Sequence, residues 1–207
     1  MTAAHVLERA SSHEVAAIGY PATESSWRAV TIDDHECLAL DIGICKANVP
    51  HGPPIPWGSG DSLLLSEEVQ AIGYPYGLDL RLRIITVRAF QGHIVCERKF
   101  EHLPELPRVY ELSFQCPRGL SGAPIWTVEG EGRVAGVIIG NAITEMEVYS
   151  EKETSRESNK EVVLIKTEAL HLGIAITPKE ILPLPSKLLG GAVGDWLEAN
   201  QLLRQWK

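Results

Sequence analysis

Gly119-Leu120-Ser121-Gly122-Ala123-Pro124-Ile125-Trp126-Thr127 is the stretch that decides the fold class. A serine sits in a glycine-rich turn, and the residues after that turn separate two architectures. In a strand–turn–helix nucleophile elbow, G-x-S-x-G, a second glycine stands two places after the serine and a helix begins there. Here Ala123 holds that place, and Pro124 leads into Ile125-Trp126-Thr127, which reads as a strand. The turn therefore joins two strands. A serine hydroxyl is a poor nucleophile at neutral pH and needs a nearby base. It also needs backbone N–H donors aimed at a developing oxyanion, and a glycine two places earlier lets the backbone present them. The N–H groups of Gly119 and Ser121 are thus the candidate oxyanion hole. A tight glycine turn with no chemistry is the competing reading of the same residues.

Outward from this turn the chain alternates short apolar runs with Gly, Pro and polar turns, the pattern of an all-β protein. Strands are expected at Val15–Tyr20, Trp27–Ile32, Cys37–Cys45, Glu68–Tyr74, Leu80–Phe90, His93–Lys99, Val109–Phe114, Ala123–Val128, Arg133–Asn141, Val162–Thr167 and Gly173–Ile176. Ile84–Val87 and Val134–Ile139 are continuous runs rich in β-branched residues, which suits strands buried on both faces. Closely spaced turns point to a barrel or sandwich. The Pro- and Gly-rich stretch 47–60 excludes regular structure and separates two halves. The organisation expected is a partial N-terminal β-barrel over 1–50, a connection over 51–60, a C-terminal barrel over 61–180, and a tail with a helix over 181–207. Glu147–Glu161, dense in charges of both signs, reads as a long exposed loop. From Ala192 to Trp206, Val193, Trp196, Leu197, Leu203 and Trp206 recur at helical spacing. Such a helix docks its apolar stripe on the barrel or offers exposed tryptophans to a partner.

Bulk properties exclude several classes. The 207 residues are 44% hydrophobic and 22% charged, ordinary for a protein with a real core. A formal net charge of −8 disfavours nucleic acid, whose phosphates want a basic surface. No apolar run approaches the roughly 18 residues of a membrane span, so no membrane partner is expected. The N-terminus shows no secretory pattern. Cys37, Cys45, Cys96 and Cys116 form no C-x-x-C pair, so neither a metal site nor a cofactor is expected. Their apolar neighbours suit buried free thiols, and with them a reducing, cytoplasmic setting.

The base must be a histidine held from behind by a carboxylate. His13 and His102 lie in polar turns and His51 in the Pro-rich connection, whereas His5 comes after the small residues Thr2-Ala3-Ala4. Among the acids, Asp33 and Asp34 sit in a polar turn. Asp41 lies between Leu38-Ala39-Leu40 and Ile42-Gly43-Ile44, where a buried acid needs a partner to stay charged. A histidine would be that partner.

These residues carry a resemblance. In the order His5, Asp41, Ser121, the chain resembles a chymotrypsin-fold, trypsin-like serine protease, closest to the bacterial Deg/Htr branch and its small trypsin-like relatives. The T-A-A-H box is residues 2–5 and the D-I-x-I-x-K box is Asp41–Lys46. The A-I-G-x-P-x-G box that opens a second barrel is Ala71–Gly77, the nucleophile box is Gly119–Pro124, and the late strand pair is Gly136–Ala142 with Gly173–Pro178. The resemblance implies two six-stranded antiparallel Greek-key barrels, the first one incomplete, and a C-terminal α-helix. It implies a serine endopeptidase acting on protein or peptide substrates, with His5 as base, Asp41 as orienting acid and Ser121 as nucleophile.

Departures from the family pattern qualify this expectation. Leu120 replaces the acid that captures a new N-terminus in digestive proteases, so that activation switch cannot operate. Val6 stands where secreted relatives carry a disulfide cysteine. The resemblance puts the pocket floor at Gln115 and the wall at Ile138, Ile139, Gly140 and Asn141. With no acid there, cleavage after Lys or Arg is not expected; small or medium apolar side chains are. The family carries strands ahead of its T-A-A-H box, and here four residues precede the histidine. Either the start lies upstream of Met1, or the chain is a fragment with His5 on a frayed end. A truncated or degenerate module that binds peptide or a partner without cleaving it is the alternative.

Overall fold

A strand run buried on both faces needs two separate cores, and Val134–Ile138 has them. Ala135 and Ile138 face one cluster, and Val134 and Val137 face another. The computed structural model describes residues 1–11, 17–23, 26–48, 54–60, 63–75, 78–79, 84–129, 132–154 and 161–204. The N-terminal part comprises β1 (Thr2–Ala3), α1 (Ala4–Ser11), β2 (Ala17–Thr23), β3 (Ser26–Thr31), β4 (Asp34–Cys37) and β5 (Ile42–Lys46). Next come β6 (Trp57–Gly58), β7 (Glu68–Gly73), β8 (Leu78–Asp79), β9 (Ile84–Ile85), β10 (Arg88–Lys99), β11 (Arg108–Leu112), β12 (Pro124–Thr127), β13 (Val134–Thr154) and β14 (Glu161–Ile176). The chain ends with α2 (Pro178–Ile181), β15 (Pro185–Ser186), β16 (Gly191–Ala192), α3 (Val193–Ala199) and β17 (Leu203–Arg204).

The C-terminal half is a closed barrel of six antiparallel strands in the order β12-β7-β10-β11-β14-β13, with β13 pairing back onto β12. Its interior is filled by Val69, Ala71, Ile94, Tyr110, Leu112, Leu120, Ile125, Ile138 and Ala175. Period-two alternation produces this: in β7 the inward residues Val69, Ala71 and Gly73 are buried while Glu68 and Ile72 are exposed. The opposite faces of β13 and β14, with Val137, Ile174 and Ile176, meet the second cluster. Leu40, Ile42 and Ile44 from the N-terminal half and Val193 and Leu197 from α3 complete it. The described N-terminal residues form a three-stranded sheet, β1-β5-β4, and a separate β2–β3 hairpin. The all-β double-barrel expectation holds, with a short C-terminal helix docked by its apolar stripe.

Several boundaries differ. The strand expected over Cys37–Cys45 is two strands, β4 and β5, joined by a turn at Ala39–Ile42. The break expected after Phe90 is absent; Gly92 lies inside β10, where a Cβ would meet Ser113 and Phe114, so glycine marks a close approach. Thr86 and Val87 are exposed, against the expected burial of Ile84–Val87. The stretch 47–60 is not wholly irregular, because Trp57–Gly58 pairs in parallel with Val134 and with Leu203–Arg204. Glu147–Glu161 is no simple loop: β13 runs to Thr154 and β14 starts at Glu161, making a long antiparallel ribbon. The C-terminal helix stops at Ala199, because Gln201 turns the chain with φ 59° and Leu203–Arg204 becomes a strand. Trp206 lies outside the described residues.

The tail is tied to the N-terminal half. The Glu36 carboxylate accepts from Ser186 Oγ at 2.7 Å, Leu188 N at 3.0 Å and Lys187 N at 3.2 Å. Those bonds, the one from Leu188 foremost, hold its pKa below the ordinary carboxylate value. The Trp57 N–H donates to the Leu202 carbonyl at 2.7 Å.

Candidate active site

The acid is set by its own turn. Ile42 N–H donates to the Ala39 carbonyl at 3.2 Å, and the central residues Leu40 and Asp41 have φ of 62° and 58°. Two left-handed residues in a row are the type I′ hairpin pattern, usually met by Asn or Gly. Asp tolerates that region, but a leucine there is disfavoured by about 1–2 kcal/mol. Burial of Leu40, 7% exposed, opposes that strain. The result turns Asp41 back toward the start of α1. Its carbonyl accepts from Ala4 N at 2.8 Å, Oδ1 accepts from His5 N at 2.9 Å, and Oδ2 lies 2.7 Å from His5 Nδ1. Backbone and ring of His5 are thus gripped by one carboxylate, which fixes the ring and leaves Nε2 as its outer nitrogen. The His5 side chain is 39% exposed and that of Asp41 20%. The expected frayed end is not seen, since Thr2 and Ala3 pair with Gly43 and Ile42 and Ala3 is fully buried.

The serine turn is built on an apolar plug. Leu120 is fully buried in the barrel interior, which is what replaces an activation acid at that position. Leu120 N–H donates to Pro117 and Ala123 N–H to Leu120, both at 3.0 Å, while Gly119 and Gly122 take φ of 95° and 86°. Only glycine fits at 119, because a Cβ would strike the Tyr74 carbonyl oxygen. Tyr74 N–H in turn reaches the Gly119 carbonyl at 3.4 Å. Tyr74 and Pro75 of the Ala71–Gly77 box therefore seat the serine turn; Tyr76 and Gly77 lie outside the described residues. Among the described residues, the N–H groups of Gly119 and Ser121 donate to no backbone carbonyl.

One contact joins the two halves of the site. A Cβ on Gly122 would collide with Thr2 Oγ1 and lie 2.7 Å from Ala3 N. The residue after Ser121 thus abuts the strand that delivers His5, and Ser121 itself is half-buried at this seam. On its other side, Gly122 N–H donates to the Ile138 carbonyl at 2.7 Å and Ile138 N–H to the Ala123 carbonyl at 3.0 Å, so the turn is clipped to β13.

Of the expected pocket residues, Gln115 is exposed and Ile139 and Gly140 are half-buried. Ile138 does not offer its side chain as a wall: it is fully buried in the barrel interior. Asn141 has a role that its place in the sequence did not suggest. Its Oδ1 accepts from Cys116 N at 2.6 Å and its Nδ2 donates to the Cys116 carbonyl at 2.7 Å. The side-chain amide imitates a strand partner and pins the segment leading to Ser121. The only sequence signal was an asparagine closing an apolar run.

All four cysteines are free, but only Cys116 is buried; Cys45 and Cys96 are half-buried and Cys37 is exposed. Burial pushes the Cys116 thiol up to about 12. Partial burial, then Glu8 and Asp41, raise that of Cys37. Among the described residues no three His, Cys, Asp or Glu side chains cluster to hold a metal ion, and no helix is long and apolar enough to cross a membrane.

Among solved structures, crystal structures of Rv3671c from M. tuberculosis are similar in fold. A serine-to-alanine mutant in its inactive form is 16% identical with a TM-score of 0.52, over 87% of this chain and 71% of that one. An inactive form of the Rv3671c protease is 16% identical with a TM-score of 0.48, over 84% and 68%. No curated protein matches the chain in sequence. The family profile for the trypsin-like peptidase domain matches residues 1–137, a span that includes His5, Asp41 and Ser121. The chain therefore belongs to the trypsin-like peptidase domain family and is a trypsin-like serine protease.

Proposed function

We propose that the chain is a serine endopeptidase that cuts peptide bonds through an acyl-enzyme on Ser121. The observation that carries this reading is the two-oxygen grip of Asp41 on His5, with Nδ1 at 2.7 Å. That grip puts the proton on Nδ1 and leaves Nε2 to accept from a hydroxyl. His5 takes the Ser121 proton as the oxygen attacks the carbonyl carbon. The tetrahedral oxyanion is held by the N–H groups of Gly119 and Ser121, donors each worth about 10²–10³ in kcat. His5 then protonates the departing amine, and a water activated by His5 releases the acyl group. Serine, imidazole and carboxylate supply the nucleophile and both proton transfers, so the scheme calls on no metal or cofactor.

The exposed amide of Gln115 supports cleavage after uncharged rather than basic side chains, since no carboxylate there would pair with a substrate Lys or Arg. Four free thiols support action in a reducing compartment such as the cytoplasm. The alternative, a peptide-binding module without cleavage, draws on the N-terminal half, whose described strands form an open three-stranded sheet. Labelling with a fluorophosphonate separates the two. Labelling that is lost in both Ser121→Ala and His5→Ala supports the protease reading; a folded chain that never labels supports the binding module.

A further inference from the structure

An extra residue in β13 decides where Asn141 points. Ile138 pairs with Ala175 and Gly140 with Ile174, so Ile139 is the added residue of a bulge. Ile138 and Ala175 face the barrel interior. By strict alternation Gly140 would follow them inward and Asn141 would face away. The bulge reverses this. Ile174 and Ala142 pack in the second cluster, so the pair Asn141–Gly173 between them comes to the side of the serine turn. Gly173 has no side chain there, and a Cβ would strike Cys116 Sγ and lie 2.7 Å from the Phe114 carbonyl oxygen. The Gly173 N–H donates to that same oxygen at 2.9 Å. Residues 114–116 therefore lie along β14 within reach of the Asn141 amide, which closes on both backbone groups of Cys116.

Resting on the protease reading, we infer that Asn141 is a positioning residue for the oxyanion hole, holding the Gly119 N–H in place through Cys116. The chain from Cys116 to Ala123 is strung on β13 at two points, Ile138 and Asn141. At the serine end, Gly122 N–H donates to the Ile138 carbonyl at 2.7 Å and Ile138 N–H to the Ala123 carbonyl at 3.0 Å. At the other end, Pro117 has no N–H to offer, so Cys116 is the last residue before the turn that can both give and accept a backbone bond. Asn141 answers both groups, at 2.6 and 2.7 Å. Pro117 then accepts from Leu120 N–H at 3.0 Å, and Gly119 lies inside that turn. Gly119 itself accepts a long bond, 3.4 Å, from Tyr74 N–H. The two ends thus have separate fastenings: Ile138 holds the Ser121 side and Asn141 the Gly119 side. A glycine at φ 95° takes up neighbouring conformations at little cost, so the direction of its N–H depends on how Cys116 is held. Among the described residues, no hydrogen bond links Asn141 to His5 or Asp41. Removing the amide therefore weakens the hold on the oxyanion and leaves the proton transfer intact.

The test uses the full chain, well below its melting temperature, with Thr127→Ala as a stability control. Buried Thr127 accepts from Arg133 N at 3.3 Å through Oγ1, so its loss lowers Tm without touching the fastenings of the serine turn. Asn141→Ala is expected to lower kcat on a peptide about ten- to hundredfold, the cost of a misplaced oxyanion donor. KM should stay within about twofold, and the inflection of the kcat–pH profile, set by His5, should not move. A peptide aldehyde, whose carbonyl oxygen enters the hole when Ser121 adds to its carbon, should lose affinity by the same factor as kcat. The matching peptide alcohol, which has no carbonyl, should keep its affinity. Asn141→Asp retains the bond from Cys116 N–H; it should fall between, and it carries the comparison if Asn141→Ala does not fold. An unchanged kcat in the folded variant, equal losses for aldehyde and alcohol, a shifted pH inflection, or the same kcat loss in Thr127→Ala overturns the inference, while labelling of Ser121 keeps the protease reading. Absence of Ser121 labelling in the wild type overturns both.

Discussion

Gly122→Ala is the sharpest test of how the two halves of the proposed site are held in register. Gly122 has φ 86°, and a Cβ there would lie 2.7 Å from Ala3 N and against Thr2 Oγ1. The threonine hydroxyl can rotate away; the backbone nitrogen of β1 cannot. Reaching ordinary contact at 3.4 Å requires the serine turn and β1 to separate by about 0.7 Å. Misplacement of reacting groups costs about a hundredfold per ångström, so the separation is worth about 25-fold. The left-handed backbone adds about 1–2 kcal/mol of destabilisation, or a Tm lowered by about 2–8 °C in a domain of this size. The assay is the second-order rate of fluorophosphonate labelling beside a thermal melt, with Gly191→Ala as control. At that position a Cβ meets only Asp195 Oδ2 at 3.8 Å, and neither quantity should move. Labelling of Gly122→Ala at the wild-type rate with a lowered Tm would refute the reasoning, because the contact with β1 would then not set the Ser121–His5 geometry.

Asp41→Asn preserves the shape but donates toward His5 Nδ1, imposing the wrong tautomer; kcat on a peptide substrate should fall about 10⁴-fold with KM little changed. Asn141→Ala removes two hydrogen bonds to Cys116 and should destabilise by about 1–3 kcal/mol in urea titrations, with Asn141→Asp, which keeps the acceptor alone, intermediate. Cys116 gives an alkaline signature. Its folded pKa is raised from 9.0 to about 12, so its contribution is complete below pH 9. Above that the unfolded thiol ionises while the folded one does not, and stability drops by about 1.4 kcal/mol per pH unit until the folded thiol titrates. The difference in urea midpoint between wild type and Cys116→Ala, tracked from about pH 8 to 11, should show that slope.

What could be read in advance depended on whether a local rule had a local cause. The serine turn was legible because Gly119 is demanded by a positive φ and Pro124 by a strand start, both written in adjacent residues. The apolar run Val134–Ile138 announced burial on both faces. The turn at Leu40-Asp41 was not legible, since its left-handed pair lacks the Asn or Gly that marks such turns and is held instead by burial of Leu40. Glu147–Glu161 looked like a loop because the period-two signal of a strand comes from burying one face, and Tyr149 and Ile165 of this ribbon are both exposed. The C-terminal helix was overextended because Leu203 kept the helical spacing while serving a strand beside Trp57. The Asn141–Cys116 clamp joins residues 25 apart and obeys no periodicity.

The bonds from Glu36 to residues 186–188 span 150 to 152 positions. Such long-range closure makes folding slow and late. In translation order His5 and Asp41 precede Ser121, and β13, β14 and residues 186–188 follow it. Under the proposed function, the base is therefore made well before the serine turn can be clipped to β13 and before Glu36 can fasten the tail. The assembled site then has to wait for residue 188, which ties the onset of cleavage to a late step of synthesis.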